Sequence, residues 1–208
     1  QQSSKTSFVW DPEHSSSIIQ LSAQNRHVFL SEDTYLFRTS IANTGFHEGT
    51  HYWEVVADAR TENELKVGVV KNRDIDLKTA FSDYSCGWAY YATGSFATAT
   101  LPSVQNTAKV QEVSTLAVYL DMEKGTLSFA LDGEYMGVAF EDEELKKGPI
   151  YPAMALLHKA AVPLSPAESH RPFLLCDEII LFAINIHKQI TKLCIAVYFS
   201  YVWGFGVL

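Results

Sequence analysis

The stretch that most constrains this chain is Val118 to Phe140, VYLDMEKGTLSFALDGEYMGVAF. Apolar and small or polar side chains alternate through it and its approach three times. Leu116, Val118 and Leu120 alternate with Ala117, Tyr119 and Asp121. Leu127, Phe129 and Leu131 alternate with Thr126, Ser128 and Ala130, and Met136, Val138 and Phe140 with Tyr135, Gly137 and Ala139. A period of two sends successive side chains to opposite faces of a strand. Glu123-Lys124-Gly125 supplies the first turn between strands. Asp132-Gly133 supplies the second, a dipeptide that two-residue hairpin loops favour. Three paired strands with one apolar face need a second layer to bury it. The rest of the chain is expected to provide that layer.

Short apolar runs recur on either side of this meander. Phe8-Val9-Trp10, Ile18 to Leu21, Val28-Phe29-Leu30 and Tyr35-Leu36-Phe37 come early, followed by HYWEVVA from His51 to Ala57 and the returning run with Leu65, Val67 and Val69. Cys86 to Tyr91, Ile150 to Leu157 and Ala160 to Leu164 complete the set. Asp11-Pro12 is expected to stop the first strand, because proline restricts the residue before it. Pro152 marks an edge or strand-start position. Residues 71–85, KNRDIDLKTAFSDYS, read as a long irregular loop, and loops of that length on a compact sandwich tend to carry function. Ala97 to Ala108 reads as a second long loop, and Glu141 to Lys147, EDEELKK, as a solvated connection. No amphipathic helix of convincing length precedes residue 165. The pattern predicts an all-β fold, an antiparallel β-sandwich of two sheets.

Composition narrows the chemistry. Hydrophobic residues are 47% and charged residues 19% of the 208, so the chain holds enough apolar surface for a sizeable core. Net charge is −8, and the longest basic run is Lys146-Lys147, which disfavours a nucleic-acid backbone as partner. The three cysteines, Cys86, Cys176 and Cys194, are too few and too odd for a secreted disulfide framework and suit the reducing cytoplasm, each as a small buried hydrophobe. The opening QQSSKTS has neither an initiator Met nor a signal-peptide pattern, which predicts a piece of a longer protein. There is no GxSxG elbow, HExxH, CxxC or phosphate-cradling glycine loop, so no enzyme and no cofactor are expected. His47 and His51 do not share a helical face and lack a third ligand. Asp74, Asp76 and Asp83 sit in one loop without the glycine and terminal glutamate of an EF-hand, so no metal is expected there either.

Three stretches, in order, resemble one family. FVWDPEHSSSIIQL, EGTHYWEV and the meander carry Asp11-Pro12, Trp53-Glu54-Val55 and Leu120-Asp121, which are similar to the Asp-Pro, Trp-Glu-Val and Leu-Asp signatures of SPRY domains. LKVGVV, SCGWAYYATG and GPIYPAMAL stand where that family has strands. DPEHSSSIIQLSAQNRHV resembles the PRY extension of tripartite-motif ubiquitin ligases, whereas GTLSFALDGEYMGVAF resembles SPRY proteins with a SOCS box or an F-box. The resemblance spans residues 8–164, taken as the domain, and implies a concanavalin-like sandwich. Trp53 and Trp88 are read as core anchors, and Glu54 and Asp121 as carboxylates that satisfy backbone or turn donors.

The resemblance implies a module that binds a partner protein or short peptide through loops at one end of the sandwich, with substrate selection for a ubiquitin ligase as its context. No RING, F-box or SOCS box is visible in this sequence, so any ligase role would come from sequence beyond it. SPRY proteins with a SOCS box have Val-Trp-Gly after their Tyr-Pro strand, whereas this chain has Leu157, His158 and Lys159, so their acidic, Asn-rich peptide ligand does not carry over. The candidate contact residues are Arg60, Glu62, Asp74, Phe81, Tyr84, Leu157 and His158, all read as exposed loop positions on a monomer. A carbohydrate-binding sandwich is the alternative, with Tyr84 beside Asp83 its best support. Residues 165–208 are set apart as linker and tail: SPAESHRP, then an uncharged apolar stretch of 16 residues, Leu193 to Leu208. That stretch falls short of the ~20 apolar residues of a spanning helix. A membrane anchor, an extra element on the sandwich and a tail from another reading frame all stay open, the last favoured.

Overall fold

The computed structural model describes residues 7–57, 61, 64–99, 101–105, 113–158 and 161–163. The strands are β1 (Trp10–Ser15), β2 (Ile19–Ser22), β3 (His27–Leu30), β4 (Arg38–Ala42), β5 (Thr50–Ala57), β6 (Leu65–Val70) and β7 (Gly87–Tyr91). They continue with β8 (Ser95–Thr98), β9 (Leu101–Gln105), β10 (Ser114–Asp121), β11 (Thr126–Leu131), β12 (Glu134–Glu141), β13 (Tyr151–Leu156) and β14 (Ala161–Pro163). Every described strand pair is antiparallel.

The meander pairs as its sequence demands. Leu116 to Asp121 of β10 lies opposite Leu131 to Thr126 of β11, and β12 returns along β11. Asp121 Oδ1 accepts the N–H groups of Glu123 (3.1 Å) and Lys124 (2.9 Å), so the carboxylate read as a turn acceptor does that work. Asp132 and Gly133 both have positive φ, 50° and 83°, which is the backbone of a type I′ hairpin. β5 adds to the other side of β10, giving the order β12-β11-β10-β5, and β14 of the small sheet β14-β3-β2 lies beside β5. Together these form one layer. The facing layer is a seven-stranded sheet, β1-β4-β13-β6-β7-β8-β9.

Between the layers sits one core: Trp53, Val55, Val118 and Phe129 from one side, Val67, Val69, Trp88, Tyr90, Met154 and Leu156 from the other. Trp53 and Trp88 are buried, at 5% and 2% exposure, as anchors should be. Trp88 Nε1 also donates to Asp142 Oδ2 at 3.2 Å, so the 141–147 connection, expected to be merely solvated, ties the layers together; its Leu145 is fully buried. Burial pushes the Tyr90 phenol up to about 12.

A second, smaller core lies on the outer face of the seven-stranded sheet. Residues 71–86 do not hang from an end of the sandwich. They fold across that face, burying Ala80 and Phe81 on Ile41, Val70, Ala89, Ala153 and Ala155. The bed is made of small side chains, and Gly68 completes it, since a Cβ there would stand 1.9 Å from Trp88 O. Thr39 pins the loop: its N–H donates to Leu77 O (2.9 Å), its hydroxyl donates to Thr79 O (2.7 Å) and accepts from Phe81 N–H (3.0 Å).

Several expectations are corrected. β1 runs through Asp11-Pro12, because it is an edge strand with a register shift, where proline is tolerated. Tyr35 and Leu36 are not in a strand; β4 begins at Arg38, and its buried residues on both faces leave no alternation to read. Residues 97–98 and 101–105 belong to strands, β8 and β9, where a loop was expected. Pro152 is not at a sheet edge but, as the other alternative had it, at a strand start: it is the second residue of the central β13, one before pairing with β4 begins. Among the described residues no helix is long and apolar enough to cross a membrane. The tail, residues 165–208, lies outside the described residues, as do Cys176 and Cys194.

Candidate recognition face

β13 ends at Leu156, opposite Leu65 at the start of β6 and Arg38 at the start of β4. Three connections therefore meet at one end of the sandwich: the one before β4, the one before β6, and the one after β13. Backbone bonds lock them. Leu157 N–H donates to Glu64 O and His158 N–H to Thr34 O, both at 3.0 Å. His158 has φ +53°, a left-handed conformation uncommon outside glycine, and these bonds hold it there. Its imidazole Nδ1 lies 3.4 Å from Asp33 Oδ1, and its ring meets Tyr35 edge-on at 5.3 Å. Tyr35 and Leu36 are 83% and 64% exposed, although both are large and apolar.

Next to it lies a cluster of paired groups. Phe37 packs edge-on against Tyr91 at 5.6 Å, and the Lys66 ammonium lies over both rings, 4.7 and 5.5 Å from their centroids. Lys66 Nζ also donates to Ser82 Oγ at 3.0 Å and faces Asp83 Oδ1 at 3.5 Å. Tyr91 Oη donates to Glu64 Oε2 at 2.8 Å, and burial together with that carboxylate raises the phenol's pKa. Arg38 Nη1 donates to Lys78 O at 2.7 Å, joining the 71–86 loop to the same end. The polar groups below are thus paired with one another, and the apolar ones above face solvent.

The seven residues predicted as a contact surface do not all converge. Leu157 and His158 do, half-buried, at this end. Arg60 and Glu62 lie outside the described residues. Phe81 is fully buried in the outer core, so its expected place on an exposed surface is corrected: the small-residue bed on the sheet receives its ring. Tyr84 faces its own loop, its hydroxyl accepting from Asp76 N–H (3.1 Å) and bonding Thr79 Oγ1 (3.3 Å). Asp74 lies at the opposite end of β6, near Lys71 and Tyr151. Tyr35 and Leu36, exposed at this end, were not among the seven. Their signal was three consecutive apolar residues without alternation, directly after the polar turn Ser31-Glu32-Asp33-Thr34.

No group of three or more His, Cys, Asp or Glu is placed to hold a metal among the described residues. His51 instead bonds Glu48 O at 2.8 Å and stacks on Phe46 at 3.9 Å, and burial lowers its pKa.

Comparison with known proteins agrees with this architecture. A family model for the SPRY domain matches residues 50–165. F-box/SPRY domain-containing protein 1 of Xenopus laevis is 30% identical, over 64% of this chain and 54% of that protein. Protein gustavus of Drosophila melanogaster is 29% identical, over 53% of this chain and 44% of that protein. The chain thus spans about half the length of the curated relatives it matches. Among solved structures, the SPRY domain of human HERC1 superposes with a TM-score of 0.64 at 20% identity, covering 77% of this chain and 99% of that one. The TRIM65 PSpry domain gives 0.62 at 18%, covering 80% and 90%. At those identities the structures speak to fold alone.

Proposed function

The chain belongs to the SPRY domain family, and on that premise we propose that it is a non-catalytic recognition module taking a partner protein or short extended peptide on the end face of Tyr35, Leu36, Leu157 and His158. The observation that carries the reading is the exposure of Tyr35 and Leu36, 83% and 64%, on a base whose own polar groups are internally paired. Rigid aromatic anchors at a loop cluster are where binding energy concentrates. Curated relatives such as that of Xenopus laevis carry an F-box/SPRY name, so selection of substrates for a ubiquitin ligase is the context we infer. The carbohydrate reading draws less support, because the Tyr84 hydroxyl is engaged within its loop.

Selection of binders from a displayed random-peptide library tests this. The full chain should enrich a consensus peptide, and Tyr35→Ala with Leu36→Ala should weaken it about 30-fold or more, two interface anchors being worth at least ~2 kcal/mol together. Thermal stability should hold, since both side chains are exposed. Undiminished affinity in the double variant, or glycan binding with no peptide enriched, would refute the proposal.

A further inference from the structure

The opposite end of the sandwich holds a second, independent feature. A cavity of about 570 Å³ opens where β6 finishes and β13 begins, between the β1 bulge and residues 71–77. That volume suits one side chain with its flanking backbone rather than a water or an ion, since ligand pockets run from roughly 300 to 1,000 Å³.

The charges around it divide into two sets. Both cations are ion-paired internally, although Arg73 Nε is a buried donor without a partner. Arg73 is held by Asp11 and lies over the Tyr151 ring, 5.0 Å from its centroid. Lys71 is paired with Glu144. Asp11 is committed as well: burial alone would raise its pKa, but hydrogen bonds from Glu13 N–H, His14 and Arg73 hold it below the usual carboxylate value. What remains are the carboxylates of Glu13 and Asp74, both exposed and both lining the cavity, neither with an ion pair among the described residues. The uncommitted charge at this opening is therefore wholly negative. Its apolar lining comes from Ile75 and Leu77, both half-buried, with Pro149.

Two exposed acidic residues at a cavity that Ile75 and Leu77 also line match one kind of side chain, a cationic head on a methylene stem. The chain's net charge of −8 favours the approach of such a group over an acidic one. We propose that this cleft is a second recognition site, which receives an arginine or lysine side chain of a partner segment, its head between Glu13 and Asp74 and its stem along Ile75 and Leu77.

The probe is acetyl-Gly-Arg-Gly-amide, titrated into the isotopically labelled full chain and followed by amide chemical shifts, with the Gln and Glu analogues as controls. The arginine peptide should shift amides of residues 72–75 and 151, and the controls should not. Glu13→Gln with Asp74→Asn should weaken binding about fivefold or more, as should raising salt from about 50 to 500 mM, where screening shortens to a few ångströms. Both substituted side chains are exposed, so a matching thermal melt will show that the fold is kept. Absence of shifts at millimolar peptide, shifts confined to residues 35–36 and 157–158, equal binding of the Glu analogue, or an indifferent double variant would each overturn the proposal.

Discussion

Phe81→Ala separates a loop that is anchored from one that is merely exposed. The ring is fully buried between the 71–86 loop and the sheet, on Ile41, Ala89, Ala153 and Ala155. Returning such a side chain to water costs about 1.5–3 kcal/mol, and the cavity left behind brings core Phe→Ala changes to about 3–5 kcal/mol. Two features act on that range. The floor is four backbone-paired strands, which cannot close the void. The roof is a loop, which can settle part of the way. The expected cost is therefore at the lower end, about 3 kcal/mol. At about 2–4 °C per kcal/mol for a chain of this size, the melting temperature should fall by roughly 6–12 °C. Urea unfolding followed by tryptophan fluorescence measures the loss, and hydrogen exchange locates it: amides of 77–84 should exchange faster, because Phe81 N–H and Leu77 O lose their fixed partners on Thr39. Phe81→Leu should cost much less, being closer in volume. An unchanged midpoint in Phe81→Ala would refute the burial argument and return Phe81 to the exposed surface.

Gly68→Ala should be worse than its small change in size implies. Its Cβ would lie 1.9 Å from Trp88 O and 2.9 Å from Ala89 Cα, backbone atoms of a neighbouring central strand, so β6 and β7 must part. A loss of about 3 kcal/mol or failure to fold is expected by denaturant titration, at or above the upper end of ordinary overpacking; a wild-type midpoint would contradict it. Acidification should also destabilise the domain through His51. Burial lowers its pKa below 6.5, so as pH falls the unfolded chain takes up the proton first, and stability drops from about pH 6.5 down to the folded-state value. His51→Gln should flatten that part of the stability–pH curve, and an unaltered slope there would show that His51 is not its source.

What the sequence made legible depended on whether a strand's large apolar side chains share one face. β5, β10 and β11 carry theirs on the core face with smaller or polar side chains opposite, and that alternation could be read directly. β4 is covered on both sides, by the inner core and by the 71–86 loop, and shows no period at all in Arg38–Ala42. Phe81 was misplaced for the same reason. Its burial is decided by Ile41, Ala89, Ala153 and Ala155, which are distant in sequence and signal nothing individually. The place of Leu157 and His158 at the end of β13 was legible from the Tyr-Pro strand before them. The exposure of Tyr35 and Leu36 was not, because an apolar run reads as a buried strand, whereas both stand in solvent ahead of β4.

The 71–86 loop also limits which surfaces remain for recognition. By packing on β4, β13, β6 and β7 it takes that part of the outer face of the seven-stranded sheet from contact with partners, and the two ends of the sandwich carry different groups. At one end Lys66 is paired with Asp83 and Tyr91 with Glu64, while Tyr35 and Leu36 stand exposed. At the other end the cations are used up, in the pairs of Arg73 with Asp11 and of Lys71 with Glu144, and what faces outward is acidic. One loop contributes to both arrangements, through Lys71 and Arg73 near its start and through Lys78 and Asp83 near its turn. A segment long enough to touch both ends would have to carry an apolar anchor and a basic residue separated by about the length of β6. Six residues at about 3.3 Å each set that spacing at roughly 20 Å. Short peptides cannot span it, so the two sites should select their ligands separately, and a partner that engages both must do so with a folded surface or a longer extended segment.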